Sequence, residues 1–442
     1  MIKFNKKEVK MNKRKIFLLI TIVISFAIVI SSCSKKQKKG VPITLAFWGS
    51  TEEIEIIKNT VEPWDEKRDD LYVILQHVPI GGDTSRYVQR LLTQIAGGDA
   101  PDVIFMEVNI FVDFYFKDVL MDLTPFIKKD KEFDIKDFYP DVVRRFTREG
   151  KIYVIPRDTA PFNCVYYNKD LFDKEGLEYP KNDWTWNDLV RIGKKLTKKN
   201  EQGIVTQYGF WTWCMMNFIY SAGGGFVDNI NNPQRCILNL PASKEGLQFY
   251  HDLMWKYHIS PRPGAMDMGG LEMFETGKLA MYGSGIWETP RLRKITTFDW
   301  DIVPFPRHPK KGLKTGTGGS GYAILKTTKY PDKAWELVKC LAGDYGQAIL
   351  GDTGLAQPAR ISIAASKHFA YDGKKPKNKA ILLESVKNVV YEPFHPNWNE
   401  INRKYIGPEL DLYNLNKQTL DEALEKIVLN VNKALQSEKV SK

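Results

Sequence analysis

The chain has 442 residues and a formal net charge of +11, which at first suggests a nucleic-acid partner. Its distribution removes that suggestion. Residues 1–39 hold eleven Lys/Arg and one acid, leaving 53 basic and 52 acidic residues and a net charge of +1 on the rest. The body therefore carries no bulk electrostatic footprint for a phosphate backbone, and no nucleic-acid partner is expected.

In chain order, the first feature is a basic run, Lys13-Arg14-Lys15, then an apolar run from Ile16 to Ile30, then Ser31-Ser32-Cys33. A basic segment, an apolar stretch and small residues at a cut site describe a secretory signal. Aliphatic, small, small, cysteine resembles a bacterial lipobox, which implies a signal peptide over 1–32, a lipid on Cys33 and a mature chain at the extracellular face of the cell membrane. A retained anchor helix is the alternative, but the apolar run is short of the roughly 20 residues a span needs. Met11 is a second possible start. The basic tether 33–40 either adds attraction to anionic lipid or is a solvated spacer.

The roughly 400 residues that follow exceed one compact core and suit two domains. Val41–Gly49 reads as a strand, with Ser50 or Thr51 capping a helix whose first turn holds Glu52 and Glu53. A strand at 71–75, a helix at 85–96 and a strand at 101–105 continue a βαβαβ alternation that predicts a mostly parallel sheet covered by helices. Residues 113–129 read as an amphipathic helix, and 151–156 and 163–168 as strands. Helices are predicted at 187–198, 212–222, 243–257 and 269–276, strands at 279–282 and 322–325, and further helices at 331–341 and 420–435. In the last, Leu424, Ile427, Val431 and Leu435 form one apolar stripe.

Cys164, Cys214, Cys236 and Cys340 show no CxxC spacing, so neither a zinc nor a redox motif is supported. They read as extracytoplasmic disulfides or as buried small apolar residues. The six histidines are dispersed, and no metal or cofactor is expected. Gly316-Thr317-Gly318-Gly319-Ser320-Gly321 fits GxGxxG, but that fingerprint has physical meaning only between a strand and a helix. Here a strand follows, so the glycines are expected in a flexible or close-packed crossover.

Val165-Tyr166-Tyr167-Asn168-Lys169-Asp170-Leu171-Phe172 and Trp184-Thr185-Trp186-Asn187-Asp188-Leu189 resemble the family 1 extracellular solute-binding proteins of ABC sugar importers, the maltose-binding-protein-like group. Gly97-Gly98-Asp99-Ala100-Pro101-Asp102-Val103, Ser221-Ala222-Gly223-Gly224, Phe274-Glu275-Thr276-Gly277-Lys278-Leu279-Ala280-Met281, Gly283-Ser284-Gly285-Ile286-Trp287 and Thr419-Leu420-Asp421-Glu422-Ala423-Leu424 follow in the family's order. The resemblance covers nearly all of the mature chain. It implies a two-lobed periplasmic-binding-protein-like fold of type II, each lobe a sheet flanked by helices, with a ligand cleft between. Transferred by landmark, lobe one is 41–158 plus 318–356 and lobe two is 160–316 plus 357–442. The resemblance also implies a monomeric, non-catalytic protein whose partners are a carbohydrate and permease subunits.

A neutral sugar needs aromatic platforms and hydrogen-bonding carboxylates, amides and arginines. Trp48 ends the first strand, where open parallel sheets bind ligands, though it also reads as a core aromatic. Glu52 reads as a ligand contact or as a solvated first-turn acid. Glu107 and Asn109 follow the third strand, Asn109 near the place where the family often carries an acid. Arg157 and Asp158 precede the first crossover and either face the cleft or pair with each other at the surface. Counted back from the Gly224 landmark, Trp213 falls on a stacking position of the family, with Trp211 as a second candidate and Gly224 itself among the contacts. Trp287 resembles another stacking position and brings Glu288 with it. Arg360 and Trp398 complete the candidates, the latter as cleft wall or core. An extracellular glycoside hydrolase uses the same residue types and is the alternative. The expected ligand is a neutral di- or oligosaccharide; which sugar is not legible.

Overall fold

The computed structural model describes residues 39–81 and 84–437. The leader, Cys33 and most of the tether lie outside those residues. Three parallel strands, Leu71–His77, Val41–Phe47 and Val103–Glu107, form one side of a five-stranded sheet; Ser320–Ile324 runs antiparallel beside the third, and Ile155–Pro156 runs antiparallel to Ser320–Ile324 at the edge. The continuous apolar character of these strands fits burial on both faces; Val41–Phe47 and Val103–Glu107 are packed under the helices Thr51–Asp65, Thr84–Gly97 and Pro331–Ala342. Ser50 caps the first of these, its Oγ accepting from the Glu53 N–H at 3.4 Å.

A second sheet runs in the order Trp211–Thr212, Met281–Ser284, Cys164–Asn168, Trp300–Val303. It has its own apolar clusters, among them Val165, Phe172, Leu189 and Phe305 on one side and Tyr166, Phe274 and Trp300 on the other. The Trp184–Leu189 landmark turns out to be structural. Thr185 and Asp188 form a reciprocal capping box, and Trp184 and Trp186 are buried. The C-terminal helix Leu420–Ser437 buries Leu424, Ile427, Val431 and Leu435 on one stripe, as its spacing predicts.

Between the two sheets lies a third, made of Gln357–Pro358, Asp158–Pro161, Thr315–Gly318 and Val389–Val390. These are the crossings from one lobe to the other. The glycine run sits here. A Cβ on Gly316 would stand 2.8 Å from the Phe162 ring and one on Gly321 2.2 Å from the Ile155 carbonyl. Gly319, at φ +141°, turns the chain between the crossing strand and the first sheet. The run is close-packed, and a helix does not follow it.

Two predicted elements and one lobe assignment differ. Residues 113–129 break into helices Phe111–Tyr115 and Thr124–Lys129, because Leu120 bridges Leu325 and the Met121 N–H bonds to the Ile324 carbonyl at the sheet edge. The helix expected at 212–222 is Met215–Ser221, since Trp211 and Thr212 join the second sheet. Tyr391 and Phe394, in the stretch assigned to lobe two, pack into the first lobe's core. All four described cysteines are free and buried, so the disulfide reading gives way to the apolar one. No helix among the described residues is long and apolar enough to cross a membrane.

Candidate functional site

A cleft of about 580 Å³ opens where the three sheets meet. Its first-lobe wall is polar. Glu53 reaches it from the first turn of Thr51–Asp65, and Glu107 and Asn109 from the end of the third strand. Arg157 and Asp158 reach it from the first crossing, both only a few per cent exposed. Arg157 pairs with Glu53 and donates Nε to Asp158 Oδ2 at 2.8 Å. Asp158 also accepts the Ser320 N–H at 2.9 Å and the Ser320 hydroxyl, and the guanidinium lies 4.6 Å from the Phe105 ring centre. Burial opposes the charge on Arg157, but Glu53 and Asp158 more than offset it and hold the group well above its ordinary range. Burial pushes the Glu53 carboxyl up against the pull of Arg157. The predicted pairing of Arg157 with Asp158 exists, but it is buried and includes a third partner.

Glu107 is different. Burial first, then repulsion from Asp158, raises its carboxyl to about 7, against the pull of Arg157. Among the described residues no side chain pairs with it. The Asn109 carboxamide oxygen is likewise buried with no hydrogen-bond partner.

The second-lobe wall is aromatic. Phe162, Trp213 and Trp287 meet edge to face and tilted: Phe162 to Trp213 at 4.9 Å, Phe162 to Trp287 at 5.8 Å and Trp213 to Trp287 at 6.1 Å. Trp213 is 36% exposed, and its Nε1 donates to Ser284 Oγ at 3.3 Å. Ser284 in turn donates to Glu288 Oε1 at 2.9 Å, as does the Tyr282 hydroxyl at 3.1 Å. Burial raises the Glu288 carboxyl, while these hydroxyls work to lower it. Trp287 lies over Gly285, where a Cβ would stand 1.9 Å from the indole. It also packs against Ile56, Leu350, Leu355 and Ala356 of the first lobe, so it closes one end of the cleft. At the rim, Lys294 of the second lobe pairs with Glu52 of the first at 3.0 Å.

Trp48, Glu52, Glu107, Asn109, Asp158, Trp213, Trp287 and Glu288 therefore line one cavity. Trp48 is at the same time core, held edge-on by Tyr87 and Phe105. Four candidates lie elsewhere. Trp211 stacks on Tyr282 with planes 6° apart and covers Gly270; the strand ends at Thr212, so the two neighbouring indoles diverge. Gly224 gives room to Ser243 at a helix start. Arg360 pairs with Asp137 and Asp344 away from the cleft. Trp398 is buried in the C-terminal core and lines a separate cavity of about 170 Å³ behind Phe162. Glu53, Phe162 and Glu392 line the cleft without having been singled out. Glu53 lies in the helix's first turn, where Ser50 caps its backbone N–H, but its inward side chain depends on Arg157, 104 residues away; Phe162 and Glu392 lie in crossing segments with no periodic signal. Among the described residues, no group of three or more His, Cys, Asp or Glu is placed to hold a metal ion.

Comparison with known proteins agrees with this architecture. The family model of bacterial extracellular solute-binding proteins matches residues 78–348. A lactose-binding protein of Rhizobium radiobacter is 21% identical over 335 residues, 73% of this chain and 76% of that one. The ABC substrate-binding protein Lmo0181 from Listeria monocytogenes, solved with cycloalternan, superposes with a TM-score of 0.78 at 26% identity, covering 90% of this chain and 99% of that one. Maltose-bound MalE3 from T. maritima gives 0.74 at 21% identity, covering 90% and 99%. With two lobes, crossing strands and a cleft between them, this chain belongs to the bacterial extracellular solute-binding proteins.

Proposed function

We propose that the protein captures a carbohydrate of di- or oligosaccharide size in the cleft and delivers it to the permease of an ABC importer, while a lipid on Cys33 holds it at the extracellular face of the membrane. The carrying observation is the opposition of walls: three aromatic rings at 4.9–6.1 Å spacing face buried hydrogen-bonding groups on the other lobe. Apolar sugar faces suit the first and hydroxyls the second. Lobe closure about the crossing strands joins both walls on one ligand, a known mode of domain motion. Relatives named for lactose, maltose and cycloalternan support a sugar; none of them favours the glycoside hydrolase reading. Carboxylates outnumber arginines along the cleft, which disfavours phosphorylated or uronic sugars.

Titration of the purified protein with a sugar panel, followed by tryptophan fluorescence and calorimetry, tests this. Saturable binding without release of reducing ends is expected. Failure of every sugar with a folded protein would overturn it. Replacing Cys33 with alanine should release the protein from membranes into the medium; full retention would remove the lipid anchor.

A further inference from the structure

The cleft has more acceptors than its own donors satisfy. The cations that line the cleft and its rim are already engaged. Arg157 serves Glu53 and Asp158. Arg291 holds Glu275 through two bonds of 2.6 Å. Lys294 is on Glu52 at the rim. Glu288 is held by two hydroxyls. Two carboxylates remain, Glu107 at the end of the third strand and Glu392 just beyond the last crossing strand, neither with a salt bridge or side-chain hydrogen bond among the described residues. Asn109 adds an unpartnered buried carboxamide oxygen on the same wall.

We propose that the ligand carries a protonated amine, seated among Glu107, Glu392 and Asn109, so that the protein is a receptor for an amine-bearing sugar. This rests on the reading of the cleft as a carbohydrate site and narrows the neutral sugar expected from the sequence. A hydroxyl donates one hydrogen bond and brings no charge, so a neutral ring leaves two carboxylates to be desolvated as the lobes close. An unpaired buried carboxylate is costly. An ammonium supplies three N–H donors and one positive charge at once.

The groups facing this point are of mixed sign but unequal availability. Asp158, Glu53 and Arg157 act on Glu107 from the first crossing and the first helix, and Glu392 acts on it from beyond the last crossing strand. Arg145, which does not line the cleft, acts on Glu392; its Nη2 bonds the Glu392 backbone carbonyl at 2.7 Å, its Nε and Nη1 have no hydrogen-bond partner, and its guanidinium lies against Tyr391 and Phe394 without a salt bridge to the Glu392 carboxylate. Burial raises both carboxyls, against the pull of Arg157 on Glu107 and of Arg145 on Glu392.

The test is calorimetry at pH 7 on matched pairs that differ in one amine: glucose and glucosamine, galactose and galactosamine, mannose and mannosamine, cellobiose and the β-1,4-linked glucosamine disaccharide, with the N-acetylated disaccharide and glucose 6-phosphate alongside. At least one amine-bearing sugar should bind tenfold or more tighter than its neutral match. N-acetylation should erase that gain, and Glu107→Gln should bring the ratio near one in a protein whose melting is still cooperative. Neutral sugars binding as tightly as their amine matches, or retention of the ratio in Glu107→Gln, would overturn this inference and leave the carbohydrate reading standing. If no saccharide binds the folded protein, the carbohydrate reading falls and this inference with it.

Discussion

The two walls of the cleft achieve order by different means. On the first lobe, Glu53, Arg157, Asp158 and Ser320 satisfy one another in a buried network, so that wall is set before any ligand arrives. On the second, Trp213 and Trp287 present ring area held mainly by their neighbours' edges, with Trp213 more than a third exposed. The polar wall is thus bound up with folding and the aromatic wall with recognition. Substitutions should separate the two.

The largest effect is expected from Arg157→Met. Removing the cation leaves Glu53 and Asp158 buried and uncompensated, which typically costs about 3–5 kcal/mol; denaturant unfolding measures it, and a loss below about 1 kcal/mol would dissolve the contrast. Next, Trp213→Ala should weaken sugar binding by more than about 1 kcal/mol with little change in thermal midpoint, because the ring is partly exposed. Trp287→Ala should weaken binding similarly and also lower stability, since the indole packs on Ile56, Leu350 and Leu355. Unchanged affinity in both would misplace the pocket.

A smaller effect concerns Glu107. Its carboxyl is raised from 4.5 to about 7, so between those values the folded state holds a proton the unfolded state has released. Stability from this group is full below about pH 4.5 and is lost as pH rises through about 7. Melting scans of the ligand-free protein from pH 5 to 8 should therefore fall more steeply for wild type than for Glu107→Gln; parallel profiles would show the group is solvated. Smallest, Lys294→Ala should shift sugar affinity by less than about 1 kcal/mol and reduce its salt dependence, as for other exposed pairs.

The architecture was legible where period and cap agree. The parallel βαβαβ start, the stripe of Leu420–Ser437 and the helix capped by Ser50 all follow from local chemistry. So did the aromatic positions Trp213 and Trp287, although only through family resemblance. What was not legible depends on contacts distant in sequence. Trp211 read as a second cleft aromatic beside Trp213, but the sheet gives it Tyr282 as a partner. Arg360 read as a ligand candidate, but Asp137 and Asp344 come to it from 223 and 16 residues away. Glu392 lies in a stretch without periodicity, and only the crossing strand Val389–Val390 brings it to the cleft.

The crossing sheet has a consequence for how the molecule comes apart. Its four strands come from four distant parts of the chain; Asp158–Pro161 lies within a few residues of strands of both flanking sheets, and Thr315–Gly318 continues directly into the first sheet at Ser320–Ile324. Neither lobe is an uninterrupted length of polypeptide. Loss of order in one must pull on hydrogen bonds that the other shares, so the two should melt as a single cooperative unit, and a fragment cut at any one crossing should not fold alone.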